Sequence, residues 1–547
     1  MTAGLADSSR QPGGVFVATR RICPKEARGA QGMAEQKGQV KQAWKKAKKE
    51  GKQRAATRSK GKRQLLAAAM VFSIAPDICA IRHISKKRRR STSDCKTGGI
   101  EEMKRSIRAL TALMLAVILA LTGVAGFAIA ETGTAENAGK KLDRVVVLSR
   151  HNIRSPLSGS GSALGELTPH AWFDWTSNPS ELSLRGAMLE TTMGQYFRLW
   201  LEDEGLFPEN YRPEDGAVRF YANAKQRTRA TAHYFSAGLL PVVDVEVEQH
   251  AEYDTMDPVF TPKLTFVSDA YEADVRAQVA ELGGVAGMDG ISAGLRDAME
   301  LLMDVADVAE SEAYRSGKYG DLLEDGNEVT LSLDDEPKLS GPIKTATSLA
   351  DALTLQYYEE PDAVKAAFGH ELTLGDWQMI HSIVDTYSDM LFTTPLVCVN
   401  VAHPLLEEIR SELVAEGRKF SFLCGHDSNV ASVLAALGVE DYLLPEAVEQ
   451  HTPIGVKLVF ERWLDADGAA WYDVSLVYQS VDQLRGLIPL TLENPPVKYQ
   501  LRFKGVETDA DGMMAEAELM KLLDGAIGAY DALVEKYGAE TALAPAA

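Results

Sequence analysis

The run Ser149-Arg150-His151-Asn152-Ile153-Arg154-Ser155-Pro156 sets a histidine between two arginines, directly after the apolar stretch Val145-Val146-Val147-Leu148. A continuous apolar run of this length reads as a buried strand, so the motif falls at a strand exit. Guanidinium forks bind phosphate oxygens. Their charge also disfavours an imidazolium, which keeps the ring neutral and nucleophilic. Alone, the pattern equally describes a basic strand end facing solvent, since short motifs recur by chance.

Two further strand ends change that balance. Phe420-Ser421-Phe422-Leu423-Cys424 reads as a second buried strand, and Gly425-His426-Asp427-Ser428-Asn429 follows it, ahead of an apolar helix over Val430–Leu437. In α/β sheets ligands bind beyond the carboxyl ends of strands, and a helix N-terminus there favours an anion. The competing reading makes Asp427 or Ser428 a simple helix cap. The third strand, Val218–Ala222, leads into Asn223-Ala224-Lys225-Gln226-Arg227-Thr228-Arg229. Together these groups fit phosphoryl transfer. A neutral His151 attacks phosphorus, arginines neutralise the non-bridging oxygens, and Asp427 donates a proton to the leaving oxygen before its carboxylate activates water. A carboxyl donor near its ordinary pKa of about 4 favours acidic conditions unless burial raises that pKa.

These residues resemble the histidine acid phosphatases, which carry an RHGxRxP motif early and an HD pair late. Asn152 replaces the commoner glycine, which points to the bacterial periplasmic glucose-1-phosphatase branch. Thr255-Met256-Asp257-Pro258, Leu355-Gln356-Tyr357-Tyr358-Glu359 and Thr452-Pro453-Ile454-Gly455 are similar to that branch too. The resemblance spans about residues 141–535. It implies an α/β fold, a phosphoglycerate-mutase-like core domain with a smaller, mostly helical cap over the site. It also implies that His151 is the nucleophile, that Asp427 is the proton donor, and that Arg150, Arg154, Arg227 and His426 bind the phosphate. The motif match selects Arg227 over Arg229. Related bacterial enzymes usually carry several disulfides, and most of those cysteines are absent here.

The chain around these groups is uneven in charge. Of its 547 residues, Met1–Glu102 hold 24 Lys/Arg against 8 Asp/Glu, about +16, while the whole chain is −19, leaving roughly −35 for the rest. At the junction lie a basic start (Met103–Arg108), an apolar core (Ala109–Ala125) and the small residues Ala128-Ile129-Ala130. These are the parts of a secretory signal peptide over 103–130; an uncleaved anchor is the rival reading, because the apolar run is near the lower limit for crossing a bilayer. Residues 1–102 read as a basic, disordered extension or a start codon placed too far upstream. The expected location is periplasmic or secreted, with membrane contact only through an uncleaved leader. A nucleic-acid-binding arm ahead of an export signal makes little sense, so no nucleic acid is expected as a partner. The mature region contains two cysteines, Cys398 and Cys424, which leaves a bridge between them open. No P-loop, dinucleotide fingerprint or metal-ligand spacing occurs, so no cofactor or metal is expected.

The expected layout of residues 131–547 is an α/β core over about 141–255 and 401–535, interrupted by a helical cap over about 256–400. Helices are expected at 184–201, 226–238, 269–315, 347–358, 377–391 and 401–416, with strands at 456–462 and 471–478. The acidic body steers anions away at long range. Binding therefore falls to the local arginine cluster, which suits a small monoester such as a sugar phosphate better than phytate. Phytate hydrolysis, a non-catalytic phosphate-sugar receptor and a mutase-like transferase are the alternatives.

Overall fold

Val145, Val146, Val147 and Leu148 are all fully buried, and their alternation explains why the run is apolar throughout. In a strand successive side chains point to opposite faces. Val145 and Val147 pack with Met193, Phe197 and Phe235 on one face of the sheet. Val146 and Leu148 pack with Leu406, Ile409, Val430 and Leu523 on the other. A strand covered on both faces reads as a near-continuous apolar run. The computed structural model describes residues 139–158 and 163–538. The expected basic extension and signal peptide lie outside the described residues.

The strands are β1 (Lys141–Arg150), β2 (Val218–Ala222), β3 (Glu328–Thr330), β4 (Lys338–Ser340), β5 (Phe420–Gly425), β6 (Lys457–Leu464), β7 (Ala470–Tyr478), β8 (Val497–Gln500) and β9 (Met514–Ala515). Seven of them form one sheet in the order β2-β5-β1-β6-β7-β8, with β9 also on β7; β3 and β4 form a separate hairpin. β2, β5 and β1 run parallel, whereas β6 to β9 add antiparallel pairs. The long helices are α1 (Leu184–Asp203), α2 (Gln226–Leu239), α3 (Pro342–Glu359), α4 (Leu374–Ser388), α5 (Pro395–Val414), α6 (Asp427–Ala436) and α7 (Glu516–Tyr537). α1 and α2 cross at two glycines. A Cβ on Gly194 would sit 2.1 Å from the Phe235 carbonyl oxygen, and one on Gly238 would sit 2.2 Å from that of Thr191.

The helical periods expected over about 269–315 are present, in several pieces. That segment is cut into short helices, Asp269–Glu281, Gly284–Ala286, Met288–Gly294, Arg296–Val305, Val308–Glu310 and Glu312–Arg315. Two breaks fall at left-handed residues, Gly287 (φ 60°) and Asp307 (φ 50°), a conformation that ends a right-handed helix. The expected helix at 377–391 is α4 followed by a π-helical turn, Asp389–Thr393. The expected boundary at 400/401 falls inside α5, which runs through Pro404. A third hydrophobic cluster gathers Leu302, Leu349, Leu353, Trp377 and Ile380 from this middle region. The Cys398–Cys424 bridge does not form: both are buried free thiols, one in the first turn of α5 and the other near the end of β5. Among the described residues, no single helix is long and apolar enough to cross a membrane.

Candidate active site

Strand register brings the three sequence elements to one edge. Val145 of β1 and Val218 of β2 both lie opposite Phe420 of β5, and the register carries through to Arg150 opposite Gly425. The parallel strands therefore end level. Two main-chain bonds continue the pairing past those ends, His151 N–H to the Gly425 carbonyl (3.0 Å) and Asn223 N–H to that of Cys424 (2.9 Å). His151, Asn223 and His426 are thus neighbours by backbone geometry before any side chain is considered.

The His151 and His426 rings lie 5.5 Å apart, edge to face. Both residues are buried, as are Arg150 and Arg154. The Asn152 carbonyl lies 2.9 Å from His151 Nδ1. A carbonyl only accepts, so Nδ1 carries the proton and Nε2 keeps its lone pair. Burial, then Arg227, His426, Arg154 and Arg150, hold the His151 pKa well below 6.5. The imidazole is therefore neutral even in mild acid.

His426 is oriented by a different device. Asn223 Oδ1 accepts the Asp257 N–H at 2.9 Å, which fixes the direction of the amide. Its Nδ2 then donates to His426 Nε2 at 2.7 Å. The His426 proton is left on Nδ1, and Arg227 Nη2 lies 3.4 Å from that atom. Two donors that cannot bond each other converge there, which suits an anion oxygen between them. Burial and then Arg227 hold His426 well below its ordinary pKa. Arg229, by contrast, lays its guanidinium over the Tyr253 ring at 5.5 Å.

The arginines are less free than the sequence implied. Arg150 Nη2 lies 3.2 Å from Asp427 Oδ2, and its Nη1 lies 3.8 Å from Glu449 Oε1 and bonds the Thr452 carbonyl. Arg154 Nη2 reaches both carboxylate oxygens of Asp351 at 3.2 Å. The Nε atoms of Arg150, Arg154 and Arg227 are buried with no protein partner. Burial pushes the Asp427 carboxyl upward, but Arg150 and then His426 outweigh it and hold the pKa at about 2. The Asp427 side chain is 40% exposed, the open side of a site whose histidines are enclosed.

Sequence reasoning missed a supporting layer: Asn223 beside His426, Asp351 on Arg154 and Glu449 on Arg150. A signal was present, because stretches quoted only as family markers supply it. Asp257 of Thr255–Pro258 sets Asn223 and is itself held by the Tyr221 hydroxyl at 2.7 Å. Tyr358 of Leu355–Glu359 donates to Glu449 at 2.5 Å. In Thr452–Gly455, Ile454 N–H donates to Glu449 (3.2 Å) and Gly455 N–H to the His151 carbonyl (3.1 Å).

A parallel-stranded α/β edge presenting an unprotonated histidine nitrogen, three arginines and a carboxylate is an arrangement that can support phosphoryl transfer of the histidine phosphatase type. Comparison with known proteins agrees. The model of the Histidine phosphatase superfamily (branch 2) matches residues 141–267 and 393–479. Glucose-1-phosphatase of Providencia rettgeri is 36% identical over 400 residues, covering 72% of this chain and 94% of that protein. Phytase AppA of Escherichia coli is 29% identical over 443 residues, covering 77% and 98%. The apo structure of Hafnia alvei phytase superposes with a TM-score of 0.66 at 27% identity, covering 72% and 98%. The chain belongs to the histidine phosphatase superfamily, branch 2, and is a phosphoric monoester hydrolase.

Proposed function

We propose that the protein is an exported acid phosphatase that hydrolyses small phosphate monoesters, with glucose 1-phosphate as the principal substrate. The observation that carries this reading is the 2.9 Å approach of His151 Nδ1 to the Asn152 carbonyl, which assigns the proton to Nδ1 and leaves Nε2 to attack. His151 Nε2 forms a bond to phosphorus as the P–O bond to the sugar breaks. Asp427, which takes up the proton that the substrate monoanion brings, donates it to the departing sugar oxygen. Its carboxylate then takes a proton from water as that water attacks phosphohistidine, releasing inorganic phosphate and free His151. Arg150, Arg154, Arg227 and the His426 Nδ1–H hold the phosphoryl oxygens, where transition-state charge spreads.

Three points support a small substrate. Curated relatives over most of the chain are glucose-1-phosphatases. Asn152 takes the place that glycine holds in the broader motif. Carboxylates already face two of the arginines, Asp427 and Glu449 on Arg150 and Asp351 on Arg154, so the local field disfavours a polyanion. The middle region, about 256–400, acts as a cap in this account, with Asp351 of α3 as its contact to the phosphate arginines. Export rests on the signal-type segment at 103–130. Phytase activity is the second reading, favoured by the likeness to phytases over nearly their full length.

Steady-state assays against glucose 1-phosphate, p-nitrophenyl phosphate and phytate, from pH 3 to 8, test this. The expected result is the highest kcat/KM on glucose 1-phosphate in acid, abolished in His151→Ala. A higher kcat/KM on phytate would move the protein to the second reading. Tight binding of glucose 1-phosphate without turnover would make it a receptor.

A further inference from the structure

Behind the His151 turn lies a charged pair that the phosphoryl-transfer steps leave unused. Glu190 of α1 and Lys457 of β6 are both fully buried, with Nζ 2.8 Å from Oε1. Lys457 also donates to the Gly455 carbonyl at 2.6 Å. Glu190 Oε2 is buried with no protein partner. Removing two charges from water is costly, and well-packed apolar residues of similar size are often as stable or more so. Core packing therefore does not explain the pair, whereas its third member does. Asn152 Nδ2 donates to Glu190 Oε1 at 2.7 Å.

Asn152 is held on every side. Its N–H donates to Thr231 Oγ1 at 3.1 Å, and its Oδ1 accepts the Ile153 N–H at 2.8 Å. With Nδ2 on Glu190, the direction of its peptide carbonyl is fixed, and that carbonyl accepts the His151 Nδ1 proton. Space is reserved for this arrangement. A Cβ on Gly455 would lie 2.5 Å from Asn152 Nδ2 and 3.3 Å from Glu190 Oε1, and Gly455 has φ +70°.

We propose that Glu190, anchored by Lys457, is a positioning residue that acts through Asn152 to hold His151 in the Nδ1–H tautomer with Nε2 aimed at phosphorus. The proposal rests on the phosphohistidine reading above. Reacting atoms misplaced by about 1 Å can cost up to about 100-fold in rate, so a loosened imidazole slows its own phosphorylation. Phosphate binding belongs to the arginines and is spared.

Two variants break the link at different points. Asn152→Gly keeps the Glu190–Lys457 pair and removes only the side chain that joins it to the turn. The double variant Glu190→Met/Lys457→Met replaces both charges with apolar side chains of similar length. The p-nitrophenol burst from p-nitrophenyl phosphate reports the first step, and competitive inhibition by inorganic phosphate reports the arginine cluster. In both variants the burst rate falls about 10-fold while phosphate inhibition stays within about 2-fold. An unchanged burst rate in Asn152→Gly would overturn the proposal, as would a loss of phosphate affinity that parallels the rate. His151→Ala is run alongside. If it retains turnover, the phosphohistidine reading itself is wrong and the positioning role falls with it; if it is inactive, failure of the two variants counts against the positioning role alone.

Discussion

Arg150 Nη2 and Asp427 Oδ2 lie 3.2 Å apart, so the group assigned as proton donor is ion-paired, and ionised, before substrate arrives. With its pKa held at about 2, Asp427 has no proton to give at pH 5. A phosphoryl group reaching Arg150 competes with Asp427 for the guanidinium and adds negative charge beside it, which raises the carboxyl pKa. The proton then comes with the substrate, as its monoanion. The alkaline limb of kcat/KM should therefore follow the second phosphate pKa of the substrate, about 6 for a typical monoester, and shift when the leaving group shifts that pKa. On the acid side, His151 is held well below 6.5, so activity persists below that pH. Profiles measured on two monoesters of different second pKa check this, and an alkaline limb that stays fixed between them contradicts it. The sign for stability is the same for both groups. Each folded pKa is depressed, so stability falls with acidification, first below about 6.5 through His151 and then between 3.8 and 2 through Asp427.

Arg227 and Arg229 are two residues apart and differ in role. Arg227 Nη2 points at His426, whereas Arg229 packs on Tyr253. Arg227→Ala should weaken inorganic phosphate inhibition by at least about 10-fold, the scale of a charge-assisted hydrogen bond. Arg229→Ala should leave it within about 2-fold. Inhibition constants measured at one ionic strength decide between them.

Asn223 sets the His426 tautomer by donating to Nε2. In Asn223→Asp one carboxylate oxygen can still accept the Asp257 N–H, but the other accepts from Nε2 and favours the imidazolium. His426 should then titrate at a higher pH than in the parent. Phosphate binds well below that pKa and about 10-fold more weakly above it, where Nδ1 turns a lone pair on the anion. NMR titration of the His426 ring together with phosphate inhibition against pH measures both.

The α1–α2 crossing gives a stability test remote from the chemistry. With a Cβ on Gly194 placed 2.1 Å from the Phe235 carbonyl, Gly194→Ala must part the helices. A loss of about 1–3 kcal/mol follows from overpacking of this kind. Denaturant unfolding should show it, with kcat/KM little changed in the fraction that remains folded.

Much of this site was readable in the sequence because β1 and β5 are covered on both faces. Their apolar runs end abruptly at the candidate catalytic groups, so His151 and His426-Asp427 stand out. The partners of those groups were not readable as partners. Asp351, Glu449 and Glu190 are single carboxylates in ordinary helical or loop surroundings, and only the fold brings each to its arginine or to Asn152. The middle region is mostly helical as expected, but its breaks were hidden. Its Ala-, Glu- and Leu-rich composition favours helix throughout, while the breaks at Gly287 and Asp307 depend on backbone conformation. The three-residue strands β3 and β4 are too short to show a period. α7 packs Leu519 and Leu523 against the sheet.

Trapping the covalent intermediate tests the central claim most directly. The enzyme is mixed with radiolabelled glucose 1-phosphate, quenched within milliseconds in alkali, where phosphohistidine survives, and digested for peptide mapping. Label is expected on the peptide that carries His151 and on no other. It should accumulate in Asp427→Asn, which lacks the base for hydrolysis, when the substrate is p-nitrophenyl phosphate, whose leaving group needs no proton. Turnover with no label on that peptide, or label undiminished in His151→Ala, would contradict the account.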